Sequence, residues 1–105
     1  AFDSKGNLWI QTDGKYSNSG KFAGMGNNQM LCANPRTGEI SRFLVGPKEC
    51  EITGITWSSD KKTMFVGVQH PGEKNPDSCH FPDGGNSVPR STVIAITRNN
   101  GRAIG

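Results

Sequence analysis

Five side chains in this sequence are of types that bind cations or move protons. Three fall within five residues, in Gln69-His70-Pro71-Gly72-Glu73. This crowds an amide oxygen, an imidazole that titrates near neutrality and a carboxylate at the mouth of a polar segment. Glu51 stands immediately before Ile52-Thr53-Gly54-Ile55-Thr56-Trp57, an acid on the approach to a largely apolar run. Asp13 closes Leu8-Trp9-Ile10-Gln11-Thr12 and precedes Gly14. Hard divalent cations take oxygen ligands of this kind. Glu51, Asp13 and Gln69 are therefore the candidate metal ligands, and His70 and Glu73 are candidates for a place beside them. Each has a plainer alternative. Glu51 reads equally as a loop carboxylate beside Glu49, His70 as a solvated loop histidine, and Asp13 as a turn residue bonding its own backbone, as Asp before Gly readily does.

These residues need elements to hold them, and the elements are strands. Gly, Pro, Asn, Ser and Thr interrupt every window long enough for three helical turns. Short runs rich in β-branched and aromatic residues recur instead: Leu8 to Thr12, Asn28 to Ala33, Ile40 to Val45, Ile52 to Trp57, Thr63 to Val68 and Thr92 to Thr97. Ser4-Lys5-Gly6-Asn7, Asn34-Pro35-Arg36-Thr37-Gly38 and Ser58-Ser59-Asp60-Lys61-Lys62 are tight-turn sequences that join antiparallel neighbours. Asp13 to Asn27 and His70 to Ser91 are longer excursions dense in Gly, Asn, Lys and Pro.

An internal repeat organises the strands. Phe2 to Ile10 matches Trp57 to Val66 with a one-residue slip in the turn: an aromatic, a polar turn, then three apolar residues. The pattern predicts an all-β chain of antiparallel strands forming about two blades of a β-propeller-like fold. Residues 1–47 make the first blade and 48–105 the second, with an insertion loop at 70–91. Superposing the repeats aligns Asp13 with Gln69. In such a fold the connection into each innermost strand faces the central channel, which is where Glu51 stands. Trp9, Trp57 and Phe65 are expected in the blade core. Two blades do not close a ring, so the chain is expected to be a piece of a larger one, or to self-associate through exposed strand edges.

Composition excludes several classes. Twelve Lys and Arg against nine Asp and Glu give +3, scattered along the chain without a basic run, so nucleic acid is not indicated. No apolar stretch approaches the roughly 20 residues of a membrane-spanning helix. The three cysteines, Cys32, Cys50 and Cys79, contain no C-x-x-C zinc pattern. Cys32 reads as a core residue of a strand, and Cys50 and Cys79 are able to pair or to stay free. The sequence has no G-x-S-x-G, no H-E-x-x-H and no EF-hand loop. Gly24-Met25-Gly26-Asn27-Asn28 lacks the order of a P-loop and reads as a strand entry. Asp77, His80 and Asp83 lie in the 70–91 segment, where Asp83-Gly84-Gly85 is a tight turn and His80 is expected to be exposed. Lys21 and Arg90 are candidates for anion contact by charge alone.

The ordered phrases FDSKGNLWIQTDG (Phe2 to Gly14), GMGNNQM (Gly24 to Met30), RFLVGP (Arg42 to Pro47), EITGITWSSDKKTMFVGVQHPGE (Glu51 to Glu73) and FPDGG (Phe81 to Gly85) resemble the C-terminal portion of the PhoX-type bacterial alkaline phosphatases. The resemblance spans nearly the whole chain. It implies a secreted or periplasmic phosphomonoesterase, exported folded by the twin-arginine route, with calcium and iron ions in a propeller channel and a phosphate monoester as substrate. His70 and Glu73 then become possible phosphate contacts. The family's enzyme is several times longer, which implies that most metal ligands lie outside this sequence and that the piece alone is inactive. The alternatives are a non-catalytic propeller segment for ligand or partner binding, and a small self-associating β module.

Overall fold

The computed structural model describes residues 1–14 and 27–105. Six strands appear in the order β1 (Leu8–Gln11), β2 (Gln29–Asn34), β3 (Glu39–Val45), β4 (Glu51–Trp57), β5 (Thr63–Gln69) and β6 (Thr92–Thr97). Each lies within one residue of the run that β-branched and aromatic residues mark in the sequence. They form two antiparallel three-stranded sheets, β1-β2-β3 and β4-β5-β6, each a meander of sequential neighbours. The described residues include no α-helix, and one 3₁₀ turn, Pro76–Ser78, interrupts the long β5–β6 connection.

The two turns of the sequence repeat share a geometry. In the first, the Gly6 N–H donates to the Asp3 carbonyl and the Asp3 N–H to the Asn7 carbonyl. In the second, the Lys61 N–H donates to the Ser58 carbonyl and the Ser58 N–H to the Thr63 carbonyl. Gly6 and Lys61 occupy the same place, both left-handed, with φ of 85° and 61°. The one-residue slip is the extra residue between Lys61 and Thr63. Asp3 caps its turn more fully: its carboxylate accepts from the Lys5 and Asn7 N–H groups at 2.9 and 3.0 Å and from Trp9 Nε1 at 2.9 Å.

The core is continuous across the two sheets. Trp9, Met30, Cys50, Ile52, Met64, Val66, Val68 and Ile104 are buried together, with Cys32, Leu44, Ile55, Trp57, Phe81, Ile94 and Ile96 packed against them. β4 is the strand that meets β1 and β2. At that seam the Ile52 N–H donates to the Thr12 carbonyl at 3.2 Å. Asn28, the buried polar side chain among the described residues, closes the same seam. Its Nδ2 donates to the carbonyls of Gly14 and Cys50, both at 3.0 Å, and its Oδ1 accepts from Thr12 Oγ1 at 2.9 Å. One amide thus ties the end of the first sheet to the entry of the second, satisfying polar groups that would be costly to bury unpaired.

A bulge sets the phase of β4. Thr53 pairs with Gly67 and Ile55 with Val66, leaving Gly54 unpaired at a φ of 29° that favours glycine. Side chains alternate across a strand, so an unbulged Ile52-Thr53-Gly54-Ile55-Thr56-Trp57 would bury Ile52 but turn Ile55 and Trp57 outward. With Gly54 set aside, Ile52, Ile55 and Trp57 all face the core opposite Val68, Val66 and Met64. A second irregularity, between Met30 and Leu31, leaves Phe43 of β3 unpaired. Its ring stands edge-on to Trp9, with centroids 4.9 Å apart.

Of the aromatics expected in the core, Trp9 is buried and Trp57 is half-buried against the core cluster. Phe65 is not: it lies between Met64 and Val66 on β5, both inward, and so projects to the opposite, open face. Cys32, Cys50 and Cys79 are all free thiols in this structure. Burial pushes the Cys50 thiol up to about 11.

Candidate functional site

In the antiparallel pair β4–β5, Glu51 sits directly opposite Gln69. Paired residues project to one side of a sheet, so the first residue of β4 and the last of β5 share a face at one end. Beyond Gln69 the backbone reverses through His70 and Gly72, with φ of 39° and 67°. This brings the imidazole back over β4, with Nε2 3.3 Å from Glu51 Oε1. Its Nδ1 lies 3.2 Å from the Glu49 carbonyl oxygen and 3.5 Å from Glu73 Oε2. The His70 N–H donates to Ser91 Oγ at 2.9 Å, which fixes the reversal to the residue before β6. The loop is pinned from below as well, where the Gly72 N–H donates to the Lys48 carbonyl at 2.8 Å.

The electrostatics follow from this crowding. Desolvation pulls the His70 imidazole down. A backbone hydrogen bond, the hydrogen bond to Glu51 and the charges of Glu73 and Glu51 outweigh it, and the net displacement is upward from the ordinary 6.5. Glu51 is 30 % exposed and Glu73 50 %, so the cluster opens to solvent on one side.

Glu51, Gln69, His70 and Glu73 are therefore neighbours: the sequence sets Gln69, His70 and Glu73 within five residues, and the reversal at His70 adds Glu51 to them. Asp13 joins them only through the backbone: Thr12, just before it, receives the Ile52 N–H, while the exposed Asp13 carboxylate forms no ion pair among the described residues. Among the described residues no three His, Cys, Asp or Glu side chains are arranged to hold a metal ion. Calcium takes six to eight oxygens, and the Glu51 oxygen nearest the cluster already faces His70. The donors described here do not by themselves fit a calcium or iron site. Lys21 and Gly24-Met25-Gly26 lie outside the described residues.

The remaining candidates serve the loop. His80 is half-buried, not exposed, because its Nδ1 lies 2.9 Å from the Ser87 carbonyl. Arg90 pairs with Asp83 at 2.6 Å, an exposed bridge of small energetic weight. Sequence reasoning missed Glu49. Its backbone is left-handed, with φ 62°, and its Oε1 accepts from the Asn75 N–H at 2.9 Å and from Ser78 Oγ at 3.4 Å. A Gly or Asn would have advertised that conformation, and a Glu does not.

A family model described as alkaline phosphatase PhoX matches residues 1–72. A solved structure described as Pseudomonas fluorescens PhoX in complex with vanadate, a transition state analogue, is similar to this chain at 60% sequence identity and a TM-score of 0.91. The match covers 99% of this chain and 18% of that one. No curated protein matches. Residue patterns, strand order and these two likenesses agree, and the chain belongs to the alkaline phosphatase PhoX family.

Proposed function

We propose that this chain is a segment of a metal-dependent phosphomonoesterase, contributing the Glu51–His70 pair, with Gln69 and Glu73 around it, to a site completed by the rest of a longer protein. The observation that carries the reading is the 60% identity, over 99% of this chain, to a PhoX whose structure holds vanadate, a transition state analogue. Binding such an analogue is the signature of an enzyme that stabilises phosphoryl transfer. The substrate class is a phosphate monoester and the proposed cofactors are calcium and iron, held mainly by residues outside this chain. The proposed location is the periplasm or the exterior, and the isolated segment is proposed to be inactive.

Within this reading each three-stranded sheet is one propeller blade, residues 1–47 and 48–105, with 70–91 as the loop that carries His70 to the site. Exposed apolar side chains support a larger assembly. Phe2, Ile40, Phe65 and Val93 are 66%, 61%, 36% and 71% exposed, far more open than core residues of a finished fold. The same observation favours one alternative, association of copies through these faces and edges.

His70 and Glu51 would hold a proton beside the reacting phosphate, the imidazolium presenting positive charge toward its oxygens. The test is phosphatase activity of a longer chain with the remaining family sequence restored, on a generic phosphomonoester, with and without chelator, in wild type and Glu51→Ala. Chelator-sensitive turnover that Glu51→Ala lowers at least about a hundredfold in a folded protein is expected. Turnover unchanged by Glu51→Ala would remove this segment from the chemistry.

A further inference from the structure

The sequence repeat relates the two sheets residue by residue. Matching Phe2 to Ile10 with Trp57 to Val66 makes Leu8 the counterpart of Met64, Trp9 of Phe65 and Ile10 of Val66. The next strands extend the match: Trp9 pairs with Cys32 where Phe65 pairs with Ala95, and Ile10 pairs with Leu31 where Val66 pairs with Ile94. Yet the two sheets bury opposite sides. In the first, Trp9, Met30 and Cys32 turn to the core, and in the second Met64, Val66 and Ile94 do. The contact between the sheets thus joins a Trp9-type face to a Met64-type face, and one face of each type is left over. Phe65, Val93 and Ala95, all exposed, form the unused face of the second sheet. Leu8, Ile10 and Leu31 form that of the first, with exposed Ile40 beside them on β3.

The unused face of the second sheet is shaped to receive side chains. Two shallow hollows flank Val93, one lined by Thr53 and Gly67 and the other by Thr56, Phe65 and Gly67. No charged side chain lines either hollow, and the branched apolar side chains of Ile10 and Leu31 are of the kind that such a surface takes. We propose that copies of this chain stack head to tail, the Phe65–Val93 face of one copy against the Ile10–Leu31 face of the next, repeating between chains the contact that joins the two sheets within one. Because the two faces differ, the contact is heterologous, and each added copy presents a fresh face until the rotation between copies closes a ring. This association goes beyond the phosphatase reading and does not depend on it, since it needs neither metal nor substrate.

Sedimentation velocity of the chain over a concentration series measures the stacking. The wild type is expected to grow from monomer through dimer to larger species as concentration rises. Phe65→Lys sets an unpaired ammonium in one face and Ile10→Lys sets one in the other, so each variant alone is expected to associate at least about thirtyfold more weakly. Mixed in equal amounts, the two are expected to form a one-to-one dimer of wild-type affinity that grows no further, because each supplies the intact face that the other lacks. Val93→Lys and Ile40→Lys repeat the experiment at positions 71% and 61% exposed, where a lysine leaves the fold intact, and the same pattern is expected. A wild type that stays monomeric throughout the series, or stops at a dimer, overturns the proposal. So does a face variant that still associates by itself, which would place the contact at a strand edge, and so does a mixture of Val93→Lys with Ile40→Lys that stays monomeric. Failure of the phosphatase reading would appear elsewhere, in the turnover of the longer chain.

Discussion

Replacing Asn28 with Ala should cost more than any other single polar truncation at the seam between the sheets. The side chain is 5% exposed and makes three hydrogen bonds, two given to the Gly14 and Cys50 carbonyls and one received from Thr12 Oγ1. At about 1 kcal/mol net for each bond, the loss is about 3 kcal/mol. The Thr12 hydroxyl still accepts the Gln29 N–H at 2.8 Å, which limits the damage on that side. The Cys50 carbonyl has no such relief: its bond to Asn28 is fully buried, so the total falls at about 3–4 kcal/mol. For a chain of this size each kcal/mol moves the melting midpoint by about 4–8 °C, so a drop of at least about 12 °C is expected. Urea titration followed by tryptophan fluorescence gives the same quantity, Trp9 lying in the core that the seam closes. Asn28→Asp should be worse at neutral pH than Asn28→Ala, since it turns a carboxylate oxygen toward two carbonyls. Asn27→Ala is the control. Its Nδ2 gives one bond to the Gly46 carbonyl at 3.1 Å from a less buried place, and about 1 kcal/mol is expected. Asn28→Ala within about 0.5 kcal/mol of wild type would refute the claim that this amide joins the sheets.

Two further outcomes follow from the same packing. A Cβ at Gly46 would meet Cys50 Sγ and approach Ile52 Cδ1 to 2.8 Å, so Gly46→Ala should destabilise by about 1–3 kcal/mol in chemical denaturation, and Cys50→Ala should recover part of it. Asp3 is held below its ordinary 3.8: desolvation raises it, but hydrogen bonds from Trp9, Asn7 and Lys5 together outweigh that. A depressed folded-state value contributes stability above 3.8 that is lost as pH falls through the lower folded value, so the stability gap between wild type and Asp3→Asn should close on acidification. A gap that stays constant from neutral pH to about pH 2 would remove Asp3 from that account.

How much of this was legible in the residues depends on what kind of force set each feature. The strands were, because β-branched and aromatic runs between Gly- and Pro-rich turns have few other uses. The Asp3 and Ser58 turns could be aligned because the same aromatic, polar, apolar order recurs around them. Neighbourhood of Glu51 and Gln69 was implied once Ile52–Trp57 and Thr63–Val68 were joined by a short turn. The return of His70 onto Glu51 was not, since it depends on a left-handed histidine whose conformation no local signal marks. Phe65 was misplaced for a related reason. The period of two in β5 buries Met64 and Val66, and an aromatic ring between them looks like core until that phase is known. Asn28 read as the start of a strand, and nothing in its flanks announced that its amide would be enclosed.

The bulge at Gly54 has a consequence for how this segment tolerates changes in length. Removing Gly54 leaves Ile52-Thr53-Ile55-Thr56-Trp57, a run whose inward and outward residues already alternate correctly, so the deletion would keep every core contact of β4 in register with β5. Gly54 behaves as a spacer threaded between two halves of a regular strand. A strand advances about 3.3 Å per residue, so its loss would draw Glu51 toward Trp57 by a fraction of that step while His70, anchored through Ser91, stayed behind. The spacer would then set how far the carboxylate reaches toward the imidazole, a dimension this single residue controls without repacking the core beneath it, since the loss of any second residue would turn inward side chains outward.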